Sequence, residues 1–145
     1  MSSFTKELRV KVLEDGARYE VLDEFVYYRD NNGDFKIRVE EGFVTDFASV
    51  PRIFWSVFPP FGRYTKAAVL HDRLCVAFHN KETWSKLTPE LDKLPSNYHN
   101  KVVTRKEADE VFLEAMKAIK VGKFTRTCLY YSVRLFGIIV YGKNN

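Results

Sequence analysis

Apolar residues alternate with polar ones through the N-terminal third of the chain, and then the period changes. In Glu7–Glu14 (ELRVKVLE), Leu8, Val10 and Val12 share one face and charged residues the other. Arg18–Asp30 (RYEVLDEFVYYRD) is rich in aromatic and β-branched residues, and Phe35, Ile37 and Val39 resume the alternation in FKIRVEEGFVT. Side chains on a strand point alternately to its two faces, so this pattern predicts half-buried strands. Between them, Asn31–Asp34 (NNGD) suits a hairpin turn, because Asn and Gly tolerate positive φ. The reading is an antiparallel sheet or meander over residues 5–45. From Tyr64 onward the apolar residues recur at helical spacing. The expected fold is therefore α+β, with the N-terminal sheet packed on about three C-terminal helices.

The connections divide the chain further. Pro51, Pro59, Pro60 and Gly62 punctuate residues 46–63, which predicts a packed loop with a short helix at Arg52–Phe58. Tyr64–His79 is apolar nearly all round, as expected of a central buried helix. Lys81–Val103 is polar and carries Pro89 and Pro95, so it reads as a surface excursion, a lid or a partner-binding insertion. Thr104-Arg-Lys-Glu107 fits a capping box. The helix it opens should run to Val121 and stop at Gly122 in a left-handed cap. A last helix is expected over Lys123–Phe136, ending at Gly137. At 145 residues the whole chain, 1–145, is expected to be one domain, with its helical part at 64–137.

Composition removes several function classes. A hydrophobic content of 46%, with 15% aromatic residues, is enough for a core and excludes disorder. The net charge of +4 is mild and dispersed, so a nucleic-acid partner is not expected. No apolar run is long enough to span a membrane, and the N-terminus lacks an apolar signal core. Cys75 and Cys128 have no paired spacing and read as free buried thiols in a reducing compartment.

Four polar residues stand where the core should be. On the 64–79 helix, His71 projects among Ala67, Ala68, Leu74 and Cys75, and Asp72 among Ala68, Val69, Cys75 and Val76. On the 104–121 helix, Asp109 projects from the apolar side, whereas Glu107, Glu110, Glu114 and Lys117 fall on the wet face. Asp46, in the packed loop TDFASVP (Thr45–Pro51), is expected to be buried with them. An unpaired buried carboxylate costs several kcal/mol or more, so Asp72 and Asp109 need partners. His71, Arg52, Arg63, Arg73 or a metal ion could serve. Two readings stand side by side. In one, His71 is a general base and an acid binds a hard cation. In the other, the same groups pin loop and helices together. No zinc-type His or Cys spacing, G-x-S-x-G elbow, P-loop or Rossmann glycine pattern occurs.

The ordered motifs TDFASVP, AAVLHDRLC (Ala67–Cys75) and RKEADEVFLEAM (Arg105–Met116), followed by a Tyr-rich helix, resemble a family of small phage and prophage proteins of unknown function. That resemblance implies a tailed-phage origin, expression in the host cytoplasm, association with the virion and other virion or tail proteins as partners. His-Asp on one helix and Ala-Asp-x-x-Phe on a later one resemble the catalytic helices of phospholipase A2. This second resemblance implies His71 as the base, Asp109 as the acid that orients it, and Asp72 as a ligand of Ca2+, with a lipid or other ester as substrate. The glycine-rich calcium loop of that family has no counterpart here, and Cys75 stands where that family has an aromatic residue. Asp46 is the candidate to replace the missing ligands. The functions in view are a hydrolase, a virion or tail-assembly protein without catalysis, and an inhibitor that contacts a host protein through Lys81–Val103.

Overall fold

The structure is a computed structural model that describes residues 3–29, 35–47 and 62–143. The fold is α+β. Its strands divide between two three-stranded antiparallel sheets. One contains β1 (Ser3–Phe4), β4 (Phe25–Arg29) and β5 (Phe35–Val39), in the order β1-β4-β5. The other contains β2 (Val10–Val12), β3 (Tyr19–Val21) and β6 (Val44–Thr45), in the order β2-β3-β6. The apolar run Tyr19–Arg29 is thus two strands, with a bend at Leu22–Asp23 between them. The expected NNGD turn and the 52–58 helix lie outside the described residues.

The alternation in the β4/β5 pair works as read. Phe25 faces Val39 and Tyr27 faces Ile37 across the register, and all four side chains are buried. The third pair on this face, Arg29 with Phe35, buries a charge. Arg29 donates through Nε and Nη2 to the two carboxylate oxygens of Glu114, at 3.2 and 3.1 Å, and the Tyr27 hydroxyl donates to the same carboxylate at 2.9 Å. Glu114 therefore leaves the wet face assigned to it and clamps the sheet to the helix. A bidentate Arg–carboxylate pair resolves the cost of burying that arginine.

Four helices follow: α1 (Thr65–His79), the single turn α2 (Trp84–Leu87), α3 (Arg105–Ala118) and α4 (Lys123–Tyr141). α1 is buried on most sides, as its composition demands. The capping box of α3 forms in full: Thr104 Oγ1 accepts from the Glu107 N–H at 3.1 Å, and the Glu107 carboxylate accepts from the Thr104 N–H at 3.2 Å. Two helix ends differ from expectation. The left-handed residue after α3 is Lys120, with φ of 60°, while Gly122 has φ of −55° and opens α4. α4 passes straight through Gly137 and ends at Gly142, φ 88°.

Residues 81–103 are not a loose excursion. Trp84, Leu87, Leu94 and Val103 are buried, and Trp84 lies edge-on to both Phe35 and Tyr98, with ring centroids 5.8 Å apart in each case. The base of the segment is clasped by backbone bonds from Trp84 N–H to Lys101 O and from Val103 N–H to Glu82 O, both 3.0 Å. Apolar anchors hidden among prolines and charges override the polar composition. Trp84→Ala should lower unfolding free energy by ~3–5 kcal/mol, the range for emptying a large aromatic site. A urea titration would check this, and a loss below ~1 kcal/mol would mean that the segment is not part of the cooperative core.

Candidate functional site

Helix geometry brings α1, α3 and α4 together around one carboxylate. Asp109 of α3 is fully buried, as its place on the helix requires. His71 of α1, also fully buried, meets it with Nε2 2.7 Å from Oδ1. The imidazole stacks on Phe112, one turn along α3, with centroids 4.8 Å apart. The predicted His71–Asp109 contact therefore exists.

Two arginines share the carboxylate. Arg105, one turn before Asp109, donates from Nε to Oδ1 at 3.1 Å. Arg134, from α4, forms an ion pair with Oδ2, Nη1 lying 3.0 Å away. Neither arginine stood among the expected partners, which were Arg52, Arg63 and Arg73. Arg105 was legible as the i−4 neighbour of Asp109; Arg134 carried no local signal. Arg73 instead bonds Glu40 at 2.9 Å and Glu82 at 2.9 Å.

Gly137 makes this convergence possible. A Cβ there would lie 3.0 Å from Arg105 Cγ, 3.4 Å from Arg134 Nη2 and 3.5 Å from Asp109 Oδ2. The residue read as a helix stop is a helix-interior gap into which a neighbouring arginine fits.

His71 and Asp72 are adjacent but part company. Asp72 is buried on a different side of α1, where Oδ2 accepts the Thr45 hydroxyl. Thr45 Oγ1 in turn accepts the Phe47 N–H at 3.1 Å. This closes the tight corner at which Phe47 takes φ of 57° and packs on Tyr19, centroids 5.2 Å apart. Thr45 and Phe47 point inward, so Asp46 between them points outward. Asp46 is exposed, contrary to the expectation that it is buried. The two-residue period of β6 simply continues past the strand end.

Asp46 and Asp72 do meet the same cleft, a cavity of about 400 Å³ that Cys75 and Arg105 also line. Cys75 is a buried free thiol with Sγ 3.7 Å from His71 Nε2, and it stands between the imidazole and the cleft; Cys128, expected to be buried too, is half-exposed. His71 itself does not reach the cavity surface. Among the described residues, no group of three or more His, Cys, Asp or Glu side chains is placed to hold a metal ion.

Burial opposes charge on His71, but the neighbouring Cys75 and Asp109 outweigh it and push its pKa up to about 9 from an ordinary 6.5. The imidazole is thus protonated at neutral pH, with Asp109 as its counter-ion. Neighbours that favour the protonated ring weaken it as a general base.

An α+β domain with a His–Asp–Arg centre sealed behind a mixed-charge cleft is the class these observations define. The chain belongs to a family described as protein of unknown function (DUF1353), whose family model matches residues 19–133. No curated protein and no solved structure matches it.

Two outcomes follow for this centre. Gly137→Ala should destabilise the protein by ~1–3 kcal/mol through overpacking. Helix propensity alone would favour alanine by ~1 kcal/mol, so the sign of the change in a denaturant titration decides the matter. A raised histidine pKa stabilises the fold fully below the unfolded value of 6.5 and loses that contribution as pH rises through about 9. Urea midpoints should fall across this window in the wild type, and the His71→Gln profile should lack that component.

Proposed function

We propose that this chain is a non-catalytic assembly component of a tailed-phage particle, held to a neighbouring particle protein through α4. The observation that carries this reading is an uncovered apolar stripe. Phe124, Tyr131, Leu135 and Ile139 are 76%, 64%, 59% and 73% exposed. At 100° per residue these positions fall within one narrow sector of α4, opposite the buried Leu129, Val133 and Gly137. Single exposed apolar residues are ordinary, but four large ones aligned on one helix are the usual mark of a contact surface. No helix among the described residues is long and apolar enough to cross a membrane. The phage setting rests on the resemblance of TDFASVP, AAVLHDRLC and RKEADEVFLEAM to small phage proteins.

An ester hydrolase is the second reading, favoured by the 2.7 Å His71–Asp109 contact and by Asp72 on the cleft wall. It is weaker because His71 is walled off from the cleft and its neighbours favour the protonated ring. Leu135→Glu combined with Ile139→Glu should leave the melting curve close to wild type, since both side chains are exposed, and should abolish incorporation into purified particles. Normal incorporation of the double variant would reject α4 as the docking face. In parallel, the wild type should show no turnover of phospholipid or simple ester substrates with or without Ca2+. Turnover that disappears in a folded His71→Gln variant would instead establish the hydrolase.

A further inference from the structure

The cleft in front of the His71–Asp109 centre has its own unmet chemistry, independent of the α4 stripe. Arg105 is 2% exposed and lines the cavity, and its buried Nη2 has no hydrogen-bond partner among the described residues. Its Nε shares Oδ1 of Asp109 with His71, and Arg134 faces Oδ2 of the same carboxylate. Arg105 therefore holds only a share of one counter-charge. The Phe136 and Tyr141 rings flank the guanidinium at 5.7 and 5.9 Å. A buried guanidinium in this condition is stabilised by an acceptor that reaches it, and most by an anionic one. The mouth of the cleft is apolar: Val44, Val76 and Phe136 line it and are 39%, 38% and 37% exposed. Apolar walls around one charged group at depth are the pattern of a small-molecule site.

We propose that this cleft binds a small monocarboxylate with an apolar body, its carboxylate on the Arg105 guanidinium and its body against Val44, Val76 and Phe136. Asp46 and Asp72 also line the cavity, and both are engaged within the protein; Asp72 Oδ2 accepts the Thr45 hydroxyl. These acids limit the charge of the ligand, because a phosphate dianion is repelled by them more strongly than a monoanion. A cation with the same body would meet Arg105 as a like charge and leave Nη2 without an acceptor. Arg18 lines the cavity as well, but its Nε is given to Asp15 at 2.6 Å, which leaves Arg105 as the anchor. A cavity of about 400 Å³ lies within the size range of small-molecule sites and suits a short chain or a single ring.

The test is a titration of the whole chain, followed by calorimetry and by amide chemical shifts, with hexanoate as probe. Acetate, hexylamine and hexyl phosphate serve as comparison probes. Saturable hexanoate binding is expected, with shifts centred on the cleft-facing residues of β6 and α1, and each comparison probe should bind at least about tenfold more weakly. Val76→Glu, at a part-exposed position on the rim, should keep the wild-type melting curve and weaken hexanoate by about tenfold, while Val76→Leu should bind as the wild type does. Arg105→Lys keeps the charge but loses Nη2, and where it folds it should weaken hexanoate to a similar degree. Absence of saturable hexanoate binding overturns the proposal, as does binding that is unchanged in Val76→Glu or in a folded Arg105→Lys. Hexylamine binding as tightly as hexanoate overturns the assignment of a carboxylate to Arg105. Equal binding of acetate overturns the apolar body, and equal binding of hexyl phosphate overturns the selection of a monoanion.

Discussion

One buried carboxylate organises the helical half of this protein. Asp109 collects an imidazolium from α1, a guanidinium from its own helix and another from α4. Removing a partner from such a centre leaves an uncompensated charge in a low-dielectric interior, which is among the most destabilising changes a core can suffer. The three helices therefore have a strong electrostatic reason to keep their spacing. Hydrophobic contacts around Phe112, Leu129 and Val133 make the helices adhere; the Asp109 centre makes them adhere in one arrangement.

The sheet half is tied to the same helix from its other side. Glu114 receives Arg29 and Tyr27 from β4, so α3 carries a carboxylate toward the sheet as well as one toward α1 and α4. Glu82 plays a smaller version of this part, joining Arg73 of α1 to the segment that follows it. Several charged residues in this protein are structural joints rather than solvated decoration. That explains how a chain with 29% charged residues and several thoroughly buried ones can still hold a continuous core.

Much of this was legible in the sequence, and the failures have physical causes. The alternation in Phe35–Val39, the capping box at Thr104 and the inward face of Asp109 follow from backbone geometry alone, and each appears as read. The pairing of His71 with Asp109 followed from the rule that buried polar groups find partners. The identity of the additional partners did not, because Arg134 comes from a helix whose crossing point no local pattern specifies. Asp46 faces solvent because the two-residue period of the strand, with Thr45 and Phe47 inward, continues through it. Glycine is a helix terminator by intrinsic preference, but at Gly137 tertiary contact sets its role. Lys120, an ordinary residue with positive φ, takes the terminating position that glycine was expected to fill.

The bare Cα of Gly137 also acts as a registry mark. If α4 slid along α3 by one helical turn, Val133 or Tyr141 would arrive where Arg105 now lies against α4. Neither side chain fits a gap that cannot hold a methyl group at ordinary contact distance. Slippage in either direction is thus blocked by sterics as well as by the loss of Arg134 from Asp109. The azimuth of the outer face of α4, and so the direction in which Leu135 and Ile139 project, is indexed to a single missing carbon on its inner face.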